Sequence, residues 1–477
     1  MRGVVSMKKI VDIIKEFGLS IVKGDIWVKL SLVIMGAGYF GRKQIAKGII
    51  MTLFEVAFIA FVVGVGVPNL SKFGTLGTVQ FEQVFDLATM TNKVNDFDNS
   101  FLILLLSIIA LIFISVFVVI YIANMIHVYH LQQLKAEGKR INTFRQDLKS
   151  FVNEKFHITL LTLPIAGVVI FTIVPLIIMI AVAFTNYDQN HMPPASLFTW
   201  VGFKNFIDLF TTSTTVTFGY SFRVVLCWTF VWAVFATFTT YFGGILLAKF
   251  LNNPKTKCSK LWRTLFVVTI AVPQFVSLLV VRNFFANTSI VNALCSEWGV
   301  TEFLKNIGLV KESLTYIPFL SDPNWAKVMI IIINIWVGVP YQMLIATGVL
   351  MNIPGELMES ARIDGATEFQ AFMKITMPYM LFITGPALVT DFIKNINNFN
   401  VIFLLTQDVY VTSNQALANS NAKEVDLLVT WLFRLTSEQY NYKMASVIGC
   451  VVFIISAAFT LVMFNRMIKG DKEETFQ

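Results

Sequence analysis

The chain has 477 residues, of which 56% are hydrophobic and only 14% charged, with 45 phenylalanines and a mean hydropathy of +0.69. Soluble domains keep about a quarter of their residues charged, so lipid is the solvent for much of this chain and a water-soluble globular fold is excluded. The four cysteines (Cys227, Cys258, Cys295, Cys450) lie far apart with no CxxC spacing, which argues against a disulfide framework or a zinc site.

In chain order, the first 26 residues scatter lysines among apolar positions without the compact apolar region and small-residue cleavage site of a signal peptide. Residues 27–40 are apolar but too short to span and are interrupted by Lys29, which predicts an interfacial or partly buried helix. Runs of about 20 apolar residues then recur near 48–67, 101–126, 159–184, 224–249, 264–286, 327–350, 377–397 and 444–464. The expected fold class is therefore an all-α integral membrane protein of about eight transmembrane helices. Two parts are distinguishable: residues 1–150 carry two spans, and residues 151–477 carry six spans and every motif discussed below.

The connections sort by charge. Lys8, Lys9, Lys15, Lys23, Lys29, Arg42, Lys43 and Lys47 precede the first span. Lys135, Lys139, Arg140, Arg145, Lys149 and Lys155 lie between the second and third, and Lys255, Lys257, Lys260 and Arg263 between the fourth and fifth. The alternate connection 68–100 is acidic. The positive-inside rule then places both termini and the segment 351–376 in the cytoplasm. The net charge of +8 becomes a signal of topology, and no nucleic-acid partner is expected.

The segment 351–378 is patterned beyond what a turn requires. Residues 356–363 (ELMESARI) read as a short helix with Leu357, Met358 and Ala361 on one side. Gly365 supplies the positive φ of a helix terminus. Thr367 and Gln370 have the spacing of a capping box opening a second helix, with Phe369, Phe372, Met373 and Ile375 on its apolar side. Patterning alone fits either an amphipathic loop on the membrane surface or a rigid knob that docks a soluble partner.

Two spans carry polar stripes. In the sixth, Asn334, Gly338 and Tyr341 share a face and Pro340 frees a backbone carbonyl. In the seventh, Asp391, Lys394, Asn395 and Asn398 share a face. Facing lipid, such stripes cost several kcal/mol. They imply either an interhelical seam, with an Asp391–Lys394 ion pair inside it, or a polar substrate site. Amides, a carboxylate and a tyrosine face suit the hydroxyls and apolar ring faces of a sugar.

Glu359-Ser360-Ala361, then Asp364-Gly365-Ala366, then Ile375 and Pro378 resemble the Glu-Ala-Ala loop of ABC-importer permeases, with Ser360 and Met377 as mild departures. "NIWVGVPYQM" (334–343), "NNFNVIFLLT" (397–406) and "VDLLVTWLFRLT" (425–436) resemble the larger membrane subunit of maltose and maltodextrin importers, over roughly 155–470. The short connection 185–223 leaves no room for the large external insert of the enteric type, which is similar to the Gram-positive oligosaccharide permeases.

The resemblance implies that the last six spans form a type I importer core in the plasma membrane. It implies that Glu359, Ala361, Asp364, Gly365, Ala366 and Phe369 contact a dimeric cytoplasmic ATPase. It also implies that Asn334, Val337, Gly338, Tyr341, Asp391, Lys394, Asn395 and Asn398 line a sugar pathway. A second permease subunit, an extracellular sugar-binding protein and an oligosaccharide substrate are the implied partners. Asp391 and Lys394 depart from the small or aromatic residues of the enteric type, and "QDVYVTSNQALANSNAKE" (407–424) replaces the family's Gly-Gly-Pro run.

The chain has no GxxxxGK[ST] loop, so ATP hydrolysis is expected on separate subunits, with no cofactor or metal here and no catalytic residue. His127, His130, His157 and His191 form no convincing metal set. The alternative is an ion-coupled secondary sugar transporter using Glu55, Asp391 and Lys394. Such transporters often carry internal repeats, and none is visible in this sequence.

Overall fold

The computed structural model describes residues 2–86, 90–211 and 218–473. Residues 212–217 of the 185–223 connection and the extreme termini, on which the cytoplasmic-termini expectation bears, lie outside the described residues. Helices dominate, and among the described residues seven are long and apolar enough to cross a membrane: Ile45–Lys72, Ser100–Ala136, Phe156–Ala183, Phe218–Asn252, Pro323–Leu350, Glu368–Thr406 and Tyr442–Arg466. An eighth candidate, Ser259–Ala271 with Gln274–Phe284, is bent by 97°. The only strands among the described residues form an antiparallel hairpin, Gln83–Asp86 with Thr91–Val94, between the first two spans.

The bend corrects the expected continuous fifth span at 264–286. Proline forces the residue before it out of the helical region. Val272 is accordingly extended (φ −76°, ψ 126°), and the helix restarts at Gln274. Other prolines are absorbed without a break. The π-helical turns Val62–Gly66, Val169–Ile173 and Phe372–Thr376 each end two residues before a proline (Pro68, Pro175, Pro378). Widening the turn accommodates a ring that lacks an N–H and would strike the carbonyl one turn back.

The chain divides into two compact units, Met1–Val201 and Gly202–Gln477. This boundary falls after the third span, whereas the sequence motifs divide at 150/151. Compactness puts the third span in the first unit because Val174–Val182 packs on the second span.

In the first unit, residues 27–40 do not form one interfacial helix. Two short helices, Ile26–Leu30 and Ala37–Phe40, flank a turn that folds back against the first two spans. Polar span residues satisfy its backbone. Glu55 accepts from the Met35 N–H at 2.8 Å, Asn124 donates to the Met35 carbonyl at 3.1 Å, and Tyr121 donates to the Leu32 carbonyl at 2.9 Å. Glu55 lies ten residues beyond Ile45, roughly 15 Å along the helix. Non-helical backbone is tolerated at such depth only where protein satisfies it. Glu55 thus has a structural task. Replacing Glu55 by Leu is expected to cost about 1–3 kcal/mol by orphaning the Met35 N–H, whereas Gln keeps an acceptor and most of the stability; thermal unfolding midpoints in detergent compare the two.

The connection between the first two spans is fastened by Asp98, which accepts from Lys72 Nζ at 2.6 Å and from the N–H groups of Thr78 and Val79. Burial works against its charge, but these donors outweigh it and hold the carboxyl below the usual range. The stabilisation is therefore present above the unfolded carboxylate value of about 4 and is lost as pH falls through the lower folded value.

The second unit is built on the fourth span, which packs along the sixth. A Cβ at Gly244 would lie 2.4 Å from the Gln342 Cβ, and one at Gly338 would lie 2.7 Å from Thr240 Cγ2. Small residues at these points let the backbones approach, which substitutes for hydrophobic driving force inside lipid. Indole N–H groups then tie the fourth span to the rest: Trp228 donates to the Val425 carbonyl at 3.1 Å and Trp232 to the Asn395 carbonyl at 3.0 Å. Trp232 and Trp431 are fully buried at the centre of this packing.

Candidate functional site

Both polar stripes of the sixth and seventh spans open onto one cavity of about 640 Å³ within the second unit. All eight residues singled out from the sequence line it: Asn334, Val337, Gly338, Tyr341, Asp391, Lys394, Asn395 and Asn398. Their chemical states differ.

Asn334 is only 7% exposed, and its amide finds no hydrogen-bond partner among the described residues. A buried amide is normally satisfied, so its donors and acceptor are directed to whatever fills the cavity. Tyr341 is half-exposed on the same wall, and its phenol likewise has no partner among the described residues. Asp391 accepts from Gln342 Nε2 at 2.6 Å, across the sixth–seventh span contact. The described residues contain no Asp391–Lys394 ion pair, and Lys394 is exposed.

Asn395 and Asn398 behave as seam residues. Asn395 Nδ2 donates to Thr237 Oγ1 at 2.9 Å, joining the seventh span to the fourth. Asn398 caps the helix Phe399–Thr406 by accepting from the Val401 N–H, and it also donates to Asn395 Oδ1 at 3.4 Å. These two amides form the wall and hold its shape. Gly338 has a comparable double duty, lining the cavity where its missing side chain admits Thr240.

Further lining residues escaped the sequence reading. Trp336 and Gln342 come from the sixth span; Thr269, Val272, Pro273, Gln274 and Ser277 come from the break in the fifth. The signal was present as "AVPQFVS" (271–277), a proline and two polar residues inside an apolar run. Helices broken at membrane depth belong where they face protein or a cavity, which is where this break lies.

The second candidate site is the loop between the sixth and seventh spans. Helix Gly355–Ile363 ends in a Schellman arrangement: the Ala366 N–H reaches the Ala361 carbonyl at 2.9 Å and the Gly365 N–H reaches Arg362 at 3.1 Å, with Gly365 at φ +79°. Thr367 then opens the next helix with a capping box, its hydroxyl accepting from the Gln370 N–H at 3.2 Å. Arg362 and Glu368 pair across the corner at 3.0 Å. The second helix does not stop before the span; the π-helical turn at Phe372–Thr376 carries it into Met377–Ile396.

Of the predicted contact residues, Ala361 is buried and Ala366 half-buried, shaping the corner from within. Glu359, Asp364, Gly365 and Phe369 are exposed. Ile363, 86% exposed, projects with Phe369, 71% exposed, and was absent from the predicted set. Two large apolar side chains bared on a corner locked by backbone caps make a surface built to be covered.

Residues 240–469 match the family described as binding-protein-dependent transport system inner membrane component. Over 446 residues the chain is 32% identical to the maltodextrin transport system permease protein MdxF of Bacillus subtilis (strain 168), covering 93% of this chain and 95% of that one. The chain belongs to the binding-protein-dependent transport permeases. The permease is also 30% identical, over 93% of its length and 97% of the relative's, to the galactooligosaccharides transport system permease protein GanP of the same organism. A solved bacterial alginate ABC transporter, in complex with alginate pentasaccharide-bound periplasmic protein, aligns with 66% of the permease and 94% of its own chain at 21% identity and a TM-score of 0.50, a likeness of fold. Family membership makes the permease a multi-pass membrane component of an ABC-type importer rather than an enzyme, and overturns the secondary-transporter alternative.

Proposed function

We propose that the permease is one of two membrane-spanning subunits of an ATP-driven importer and forms half of a pathway for neutral oligosaccharides, with α-glucans of the maltodextrin type as substrate. The observation that carries this reading is the 640 Å³ cavity into which the unpaired Asn334 amide, the Tyr341 ring, the Trp336 ring and the Asp391–Gln342 pair project. Aromatic faces take the apolar faces of a pyranose, while amides and a carboxylate exchange hydrogen bonds with its hydroxyls. One lysine and one aspartate line it, a balance suited to an uncharged substrate.

On this reading residues 151–477 are the functional permease domain, and both termini face the cytoplasm. An extracellular binding protein delivers sugar to the outer mouth. Two cytoplasmic ATPase subunits close on ATP and bear on the corner at 356–375, where Ile363 and Phe369 enter their surface. The sixth and seventh spans then rock as a unit, because Gln342 and Asp391 bind them together beside the cavity.

The test is uptake of labelled maltodextrin and labelled galactooligosaccharide into vesicles containing the permease with its partner subunits. Preferential uptake of maltodextrin is expected; preferential uptake of the galactooligosaccharide would reassign the substrate, and uptake of neither would refute the oligosaccharide pathway. Tyr341→Ala removes an exposed ring with no hydrogen bond to lose, so folding is expected to stay intact. An aromatic contact worth about 0.5–1.5 kcal/mol predicts a rise in KM of about 2–10-fold. An unchanged KM would remove Tyr341 from the pathway. Asn395→Ala is expected to lower both yield and uptake, because it severs the bond to Thr237 as well.

A further inference from the structure

We propose that the helix Phe144–Val152, between the second and third spans, is a membrane-surface anchor that lies in the headgroup layer and binds anionic lipid. The proposal rests on membrane insertion alone and is independent of the transport reading. Phe144, Leu148, Phe151 and Val152 recur at i, i+4, i+7 and i+8, forming one apolar stripe. All four are exposed, Leu148 to 57% and Val152 to 66%. The helix organises itself, since Thr143 and Gln146 close a capping box at its start.

Its depth is fixed by two contacts with the beginning of the first span. Gln44, the residue before that span, donates to the Asn142 carbonyl at 2.7 Å, and Lys47 in its first turn pairs with Asp147. Exposed Ile45, Ile49 and Ile50 begin the span's apolar surface at the same level. At its other end the helix runs within three residues into the third span, whose Phe156, Ile158 and Leu160 are also exposed. The stripe is therefore continuous at both ends with surfaces that cross the membrane. A soluble partner could cover it only by entering the acyl boundary.

Charge supplies the lipid class. Residues 135–155 hold six basic side chains (Lys135, Lys139, Arg140, Arg145, Lys149, Lys155) against Glu137, Asp147 and Glu154. Glu137 pairs with Lys139, and Asp147 is taken by Lys47. Lys155 is exposed, with its ammonium 5.8 Å from the Phe151 ring centre. Basic groups flanking an apolar stripe favour a negatively charged leaflet.

The test uses the full chain with Cys227, Cys258, Cys295 and Cys450 replaced, carrying Leu148→Cys labelled with an environment-sensitive fluorophore. It is reconstituted in phosphatidylcholine with or without phosphatidylglycerol. Blue-shifted emission, quenched by a spin label placed shallow in the acyl chain and more strongly with phosphatidylglycerol, is expected. Ser150→Cys, on the polar side, is expected to stay unquenched and serves as the folding control. The combined change Arg145→Gln, Lys149→Gln and Lys155→Gln is expected to abolish the difference between the two lipids. Water-like emission at position 148 in both lipids would overturn the proposal. So would a blue shift that appears only when a soluble protein partner is added.

Discussion

Asp426→Ala is expected to destabilise the permease by about 3–5 kcal/mol, the usual consequence of stripping one partner from a buried ion pair. Asp426 is fully buried and accepts from Arg434 Nη2 at 2.6 Å, from Thr430 Oγ1 at 3.0 Å and from the Lys423 N–H at 2.8 Å. Burial pushes its carboxyl upward, and Arg434 pulls it back. All these partners lie on the segment between the seventh and eighth spans, which includes helix Leu428–Ser437. The nearby Trp228 and Trp431 indoles donate to the Val425 and Ser420 carbonyls, joining this staple to the fourth span and the core. Removing the carboxylate leaves Arg434, itself nearly buried, with an uncompensated charge. The expected readout is a large fall in the unfolding midpoint in detergent and a low yield of folded protein. The double variant Asp426→Leu with Arg434→Met is expected to recover most of the loss, because an apolar pair of similar volume avoids desolvating charge. If Asp426→Ala alone unfolds within a degree or two of the wild type, the pair contributes nothing to the fold.

The length and polarity of each apolar run made the spans legible, and the Glu-Ala-Ala pattern, the capping-box spacing and Gly365 made the loop legible down to its hydrogen bonds. Hydropathy averages over a window, however, so the turn at Val272-Pro273 was absorbed into an apparently continuous span. The polar stripes were legible as faces of helices because i, i+3, i+4 and i+7 fix geometry within a helix. Which of those groups are consumed depends on other helices: Thr237 takes Asn395, the helix start takes Asn398, and nothing among the described residues takes Asn334. Glu55 shows the same limit. An acid within a span is a reasonable site for ion coupling until the backbone it serves, at Met35, is seen to reach it.

Gly365→Val is expected to abolish most uptake while leaving the permease inserted and assembled. Gly365 is exposed, and a Cβ there would meet nothing within 4 Å, so the substitution creates no steric clash with other parts of the chain. Its effect must come from the backbone, held at φ +79° by the Schellman closure onto Arg362 and Ala361. An L-residue in this conformation costs about 1–2 kcal/mol, and β-branching makes it worse. The cost is local and small beside the stability of the packed spans of the second unit, but it falls on the residue that sets the angle between two helices. Relieving it swings Ile363 relative to Phe369 and loosens the Arg362–Glu368 pair across the corner. If the corner transmits ATPase closure, ATP hydrolysis continues while sugar uptake falls at least to the order of a tenth, the loss expected when about 1.4 kcal/mol of coupling disappears. Gly365→Asn is the informative control, since asparagine tolerates the left-handed region; it is expected to retain most of the uptake. Full uptake in the valine variant would disprove the corner's role, whereas equal failure of the asparagine and valine variants with normal assembly would disprove only the account through positive φ. The first would mean that the helix angle carries no signal, and the second that the absence of a side chain, rather than the positive φ, is what the partner requires.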